Sequence, residues 1–127
     1  VARSEVHGVG VAAVRDIPKG ADPFGGTTTY KGSLVPMTRE QVDALDAPIA
    51  RLVKDFCLPD ANGVHWVMPM GFNKLDVSFY MNHGEGKSAN VEMFNDGLGT
   101  LCNFRTRRAI APGEELFFDY NRAPVDK

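Results

Sequence analysis

Apolar residues fall along this chain in short runs, each cut off by glycine or proline. Gly8–Ile17 (GVGVAAVRDI) is rich in β-branched residues and ends at Pro-Lys-Gly, a turn. Thr27–Val35 (TTTYKGSLV) is a second strand-like stretch, interrupted at Gly32. Asn90–Phe94 (NVEMF) leads through NDGLG into TLCNFRTRRAI, which predicts a hairpin with a Gly-rich connection. ELFFDY, Glu115–Tyr120, closes the series, and its period of two puts Leu116, Phe118 and Tyr120 on one face. With 13 Gly and 8 Pro acting as turn signals, the pattern predicts many short strands rather than a helical bundle.

One segment has the other period. Thr38 followed by Gln41 is a capping-box pattern, and Val42, Leu45, Ile49, Leu52, Val53 and Phe56 then recur at helical spacing. Pro48 cannot donate to a helical ladder, so two short helices are expected. The stretches Val14–Gly20 (VRDIPKG) and Arg107–Gly113 (RRAIAPG) echo each other, each an Ile, a Pro and a turn Gly. Two echoes are too few for a solenoid and read as similar strand exits.

At 127 residues the chain fits one domain, 1–127, that can bury a core without disulfides or metal. It opens on Val1 rather than Met and is expected to be trimmed from a longer chain. A net charge of −2 gives no general pull toward nucleic acid or an anionic membrane. No apolar run approaches the roughly 18 residues of a membrane span, and no signal peptide is read at the start. Cys57 and Cys102 lack C-x-x-C spacing, and His7, His65 and His83 share no metal-ligand spacing with them. Both cysteines read as small buried apolar residues, and no metal site is expected.

Three stretches could carry chemistry. HGVGV (His7–Val11) is either a plain hairpin turn or a turn that brings backbone N–H groups against a ligand. YMNH (Tyr80–His83) carries in Asn82 a side chain with donors and an acceptor, which serves an Asx-type turn or a ligand equally well. ELFFDY is a core face ending in a rim phenol, or one wall of an aromatic slot.

Taken in order, HGVGVAAVRDIPKG, YMNH and AIAPGEELFFDYN resemble the SET-domain family of protein lysine methyltransferases over about the whole chain. The resemblance implies a mainly β fold of small twisted sheets with a C-terminal pseudoknot and a short helical insertion. It implies S-adenosylmethionine as cofactor, held by Gly8, Val9 and Gly10 on one side and by Asn82 and His83 on the other. Tyr120 matches the catalytic tyrosine, and Tyr30 looks like the second tyrosine of the lysine channel. Phe118 falls where the family sets how many methyl groups are added, and Phe there implies di- or trimethylation. Phe118 and Tyr120 would then wall the slot, with Phe117 facing the core. The implied partner is a protein presenting a lysine, a histone tail among the candidates, with the nucleus as compartment if that histone is eukaryotic. No direct nucleic-acid or membrane partner is expected.

This chain departs from the family pattern in places. Phe79 stands where a basic residue usually precedes the Asn by three, and Gly84–Asn90 reads GEGKSAN where the family has a Cys- and Pro-containing run. Asn90 aligns only across an insertion and is left out of the expected site. Within residues 1–127 no Cys-rich zinc module stands before Gly8 or after Tyr120. These departures favour the alternative of a catalytically weak SET-like module that binds peptides or partners. A third reading, nucleic-acid binding through Arg105–Arg108 (RTRR), puts alternate charges on opposite strand faces and lacks a stacking platform.

Overall fold

The computed structural model describes residues 1–25, 29–30, 34–68, 71–95, 100–101, 103–122 and 124–126. In chain order its elements are β1 (Ala2–Arg3), β2 (Val9–Ala12), β3 (Thr29–Tyr30), β4 (Val35–Met37), α1 (Arg39–Asp43), α2 (Ala47–Phe56) and β5 (His65–Val67). Two 3-10 turns follow, Gly71–Lys74 and Val77–Tyr80. The chain then forms β6 (Asn82–His83), β7 (Val91–Asn95), β8 (Thr100–Leu101), β9 (Asn103–Thr106), β10 (Glu115–Phe118) and β11 (Val125–Asp126). The contacts divide these into one unit of Val1–Thr29 with Leu75–Lys127 and another of Tyr30–Lys74. None of the described helices is long and apolar enough to cross a membrane.

The first unit holds a sheet in the order β1-β2-β10-β6 and a second in the order β11-β7-β9. The expected hairpin is present: β7 and β9 pair antiparallel from Val91↔Thr106 to Phe94↔Asn103. Strand β10 enters between elements far from it in sequence, antiparallel to β2 through Leu116↔Val11 and parallel to β6 through Phe117↔Asn82 and Phe118↔His83. Past β10, β11 runs parallel to β7. The chain's end thus retraces the path of residues 82–95, the C-terminal crossing that the resemblance implies.

Packing explains why β10 lies there. Leu116 and Phe118 point into a buried cluster with Val11, Met81, Val91, Phe104 and Ile110. Burying each large apolar side chain of this kind contributes roughly 1.5–3 kcal/mol. The two sequence echoes meet face to face at its edge. Ile17 and Ile110 exchange backbone hydrogen bonds of 3.0 and 2.8 Å. On one flank Ala13 and Gly113–Glu114 exchange bonds, and on the other Gly20–Ala21 and Thr106 do the same. The repeated Ile-Pro-Gly exits are therefore partners in one pairing. Their glycines, Gly20 and Gly113, have φ of 80° and 84°, where an L side chain is strained.

The second unit contains β4 paired antiparallel to β5, and both helices. Thr38 caps α1 as expected: its hydroxyl accepts from the Gln41 N–H at 3.2 Å, and Gln41 Oε1 accepts from the Thr38 N–H at 2.9 Å. The segment forms two helices as expected, α1 closing at its C-cap Ala44 and α2 carrying Pro48 in its first turn. The break also resets the helical phase. Val42 and Val53 are buried, but Ile49 and Leu52 are exposed, because α2 turns Ala50, Val53 and the following Cys57 inward. Cys57 is a buried free thiol, as read from sequence, and burial raises its pKa; Cys102 lies outside the described residues.

Candidate active site

Three stretches separated by dozens of residues meet along β10. Before β2, Gly8 has a φ of 50°, a left-handed conformation, and a side chain there would meet nothing within 4 Å. Gly10 is required for a different reason. A Cβ on it would stand 1.9 Å from Glu115 Oε1 and 3.0 Å from Asn82 Nδ2. The sequence reading assigned this glycine to close approach of a ligand, and the room it leaves is taken by the chain's own carboxylate.

Asn82 joins the glycine turn to β10. Its Nδ2 lies 3.1 Å from the His7 carbonyl, 3.0 Å from the Val9 carbonyl and 3.0 Å from Glu115 Oε1. Val9 itself is exposed, so its contribution to this corner is its backbone. Next along β6, His83 Nδ1 accepts from the Tyr120 N–H at 3.1 Å, and Nε2 lies 3.2 Å from Glu85 Oε1.

Tyr120 follows β10 after Asp119. Its hydroxyl donates to the Met81 carbonyl at 2.5 Å, and its ring stands 4.7 Å from Phe118 and 5.1 Å from His83. Partial burial pushes the phenol pKa up, so the hydroxyl keeps its proton. With that proton given to Met81, the oxygen's lone pairs are what remain for another group. Phe118 is buried and meets Phe104 edge-on at 5.6 Å. A cavity of about 20 Å³, room for about one water, opens beside Phe118, with Ala89, Met93, Arg107 and Asp119 among its lining.

ELFFDY is a core face at Leu116 and Phe118 that ends in Tyr120 at the rim. Phe117 differs from expectation. It is half-buried on the opposite face of β10, over Gly84, where a Cβ would come 2.8 Å from Phe117 Cβ. Strand alternation decides this: with Leu116 and Phe118 turned to the core, Phe117 must turn away. Tyr30 lies in β3, and its side chain is outside the described residues.

Two residues that sequence reasoning left out hold the site together. Asn90 is buried, donates to the Glu115 carbonyl at 2.9 Å and accepts from the Phe117 N–H at 2.8 Å. It supplies a strand-like partner for β10 from the loop after β6. Glu115 accepts from Asn82 as above and from the Ser4 hydroxyl at 3.0 Å. The signal for Asn90 was its place after the Gly-rich loop, masked by the insertion; Glu115 gave none beyond strand alternation. The basic run RTRR is spent internally. Arg105 pairs with Glu92 at 2.9 Å, Arg107 donates to the carbonyls of Gly86 and Ala89 at 2.8 Å, and Arg108 pairs with Glu114 at 2.8 Å.

A family model described as SET domain matches residues 8–121, from the glycine turn to the residue after Tyr120. The chain belongs to the SET-domain family. Enzymes of this family are protein lysine methyltransferases and generally use S-adenosylmethionine. The SET fold is also seen in a crystal structure of a Plasmodium falciparum protein named as a candidate histone methyltransferase. That structure aligns over 95% of this chain and 94% of its own, at 15% sequence identity and a TM-score of 0.52. No curated protein matches the chain.

Proposed function

We propose that this SET domain transfers methyl groups from S-adenosylmethionine to the ε-amine of a protein lysine. What supports this is the convergence at β10. The Gly8–Gly10 turn, the Asn82-His83 pair and Tyr120 are joined by direct hydrogen bonds although they lie up to 112 residues apart, by their numbers, in the chain.

The residues present fit the cofactor. Asn82 has its amide nitrogen engaged, and among the described residues nothing bonds its Oδ1, so an acceptor is left for an ammonium group. The open side of Gly8 leaves its backbone approachable. When bound, S-adenosylmethionine would supply a sulfonium-activated methyl group, taken up by a neutral amine as the C–S electron pair leaves on sulfur.

The chain's own residues handle the amine. A free lysine, with a pKa of about 10.4, is almost wholly protonated at neutral pH and cannot attack. Desolvation of the amine against Phe118 and Tyr120 would disfavour the charged ammonium. The Tyr120 oxygen, neutral and already donating to Met81, orients the amine in the first two transfers by accepting from an N–H, and much of the rate comes from such positioning. Phe118 as product switch favours di- or trimethyl-lysine. A histone tail is one candidate substrate, in keeping with the name of the Plasmodium falciparum protein.

A second reading, a catalytically weak module for partner binding, is favoured by Phe79, which offers no cation for the cofactor carboxylate. Calorimetric titration with S-adenosylmethionine, then a labelled-methyl survey over histones and cell extract, separates the two. Binding with transfer to lysine supports the enzyme. Binding without transfer supports the module. A folded sample that gives neither heat nor thermal shift removes the cofactor reading.

A further inference from the structure

Asn82 stands where three groups that only accept hydrogen bonds come together. The His7 and Val9 carbonyls and the Glu115 carboxylate lie 3.1, 3.0 and 3.0 Å from one atom of its side chain. That atom must be the amide nitrogen, because an amide oxygen there would face three other acceptors. A side-chain amide has two orientations related by a half turn, and its surroundings choose between them. Of the three acceptors only Glu115 carries a full charge, and a hydrogen bond to an ionised acceptor is roughly twice as strong as a neutral one.

Glu115 is itself held in place. The Ser4 hydroxyl donates to its other oxygen at 3.0 Å, and its carboxylate occupies the space that a side chain at Gly10 would fill, 1.9 Å from the would-be Cβ. The residue is thus seated by Ser4, which follows β1, and by Gly10 in β2, while its own backbone belongs to β10.

We infer that Glu115 is a positioning residue that fixes the Asn82 amide in one orientation, leaving Oδ1 as the acceptor for the cofactor's α-ammonium group. This rests on the proposed role of Asn82 in cofactor binding. The absence of a side chain at Gly10 then serves the cofactor indirectly, by admitting the carboxylate that orients Asn82.

A double-mutant cycle on binding tests it. Glu115→Gln keeps the shape but replaces the charged acceptor by an amide whose NH₂ can face Asn82, so the preference falls to what the His7 and Val9 carbonyls alone maintain. Titrated with S-adenosylhomocysteine, Glu115→Gln should bind about tenfold more weakly than the parent. In an Asn82→Ala background the same change should have almost no further effect, since the group it acts through is gone. Additive losses would make Glu115 a merely structural residue, and an undiminished affinity in the single variant would overturn the inference outright. If Glu115→Gln does not fold, Gly10→Ala replaces it, because its methyl displaces the carboxylate from the same seat. It should show the same dependence on Asn82. A parent that binds no S-adenosylhomocysteine refutes the cofactor reading itself and this inference with it; a parent that binds, with additive variants, refutes the inference alone.

Discussion

The main-chain N–H of Tyr120 donates to His83 Nδ1 at 3.1 Å, and the two rings stand 5.1 Å apart. A nitrogen that accepts carries no proton, so the neutral imidazole has its hydrogen on Nε2, where it faces Glu85. The position of Tyr120 is thereby tied to the chemistry of a ring on β6. His83→Asn offers an oxygen close to the place of Nδ1 and should keep most of the transfer rate. His83→Phe keeps a ring but no acceptor, and should lose about 1 kcal/mol of this tether and a larger share of activity. Single-turnover rates of the two variants, with cofactor affinity measured alongside, check the difference.

The phenol of Tyr120 has its pKa raised by burial, from an unfolded value of about 10. Below that value both states hold the proton and stability does not depend on this group. Above it the unfolded chain releases the proton first, so stability falls as pH rises toward the folded value. Urea denaturation at pH 8 and pH 10.5 should therefore show an extra loss in the parent that Tyr120→Phe lacks. The same reasoning makes the transfer rate between pH 7 and 9 follow the substrate amine, with a profile of unchanged shape in Tyr120→Phe.

Much of this arrangement was legible in the sequence because its signals are local. The Thr38/Gln41 cap and the break at Pro48 depend on residues within one turn of each other, and both are present. The order of Gly8–Gly10, Asn82-His83 and Tyr120 was legible through the family resemblance, though not their hydrogen bonds. What was hidden depends on contacts across the chain. Ile49 and Leu52 fit a helical stripe, yet the phase reset at Pro48 turns them outward. Asn90 braces β10 from beyond a loop whose length obscured it. Nothing local to Glu115 says that its carboxylate fills the space left at Gly10, more than a hundred positions away in the chain. Phe117 was assigned to the core as the face opposite the slot, whereas Leu116 and Phe118 take the core and leave Phe117 over Gly84.

Asn82 bonds the glycine turn as well as β10, so its loss should lower stability and cofactor affinity together. Asn82→Ala is expected to weaken binding of S-adenosylmethionine by roughly 1–3 kcal/mol. Asn82→Asp should be worse for the fold at neutral pH, because a carboxylate would face Glu115 and two carbonyls. Acidification should narrow the gap between Asp and Ala variants, since a protonated Asp can donate again. Thermal melts from pH 4 to 8 follow it.

Phe118 is the last residue of β10, and its ring meets that of Tyr120, just past the strand, tilted by 52° at 4.7 Å. Its ring carries no hydroxyl to anchor a water, so a methylated amine can rotate and present its lone pair again. The parent should reach di- or trimethyl-lysine, and Phe118→Tyr should stall mainly at one methyl while retaining the first transfer. Ala89, on the loop after β6, lines the same small cavity as Phe118, so shortening that loop should change the product ratio too. Mass spectrometry of a methylated peptide over time reads both effects, and a parent that stops at one methyl removes this role from Phe118.

The most direct measurement of the central claim is a single-turnover transfer of labelled methyl from S-adenosylmethionine to a captured substrate protein, with the modified residue located by mass spectrometry. The parent should place the label on a lysine ε-amine, and Tyr120→Phe, folded and binding cofactor nearly as well, should lose most of that rate. Equal rates in parent and Tyr120→Phe, or label found on a residue other than lysine, would contradict the proposed function.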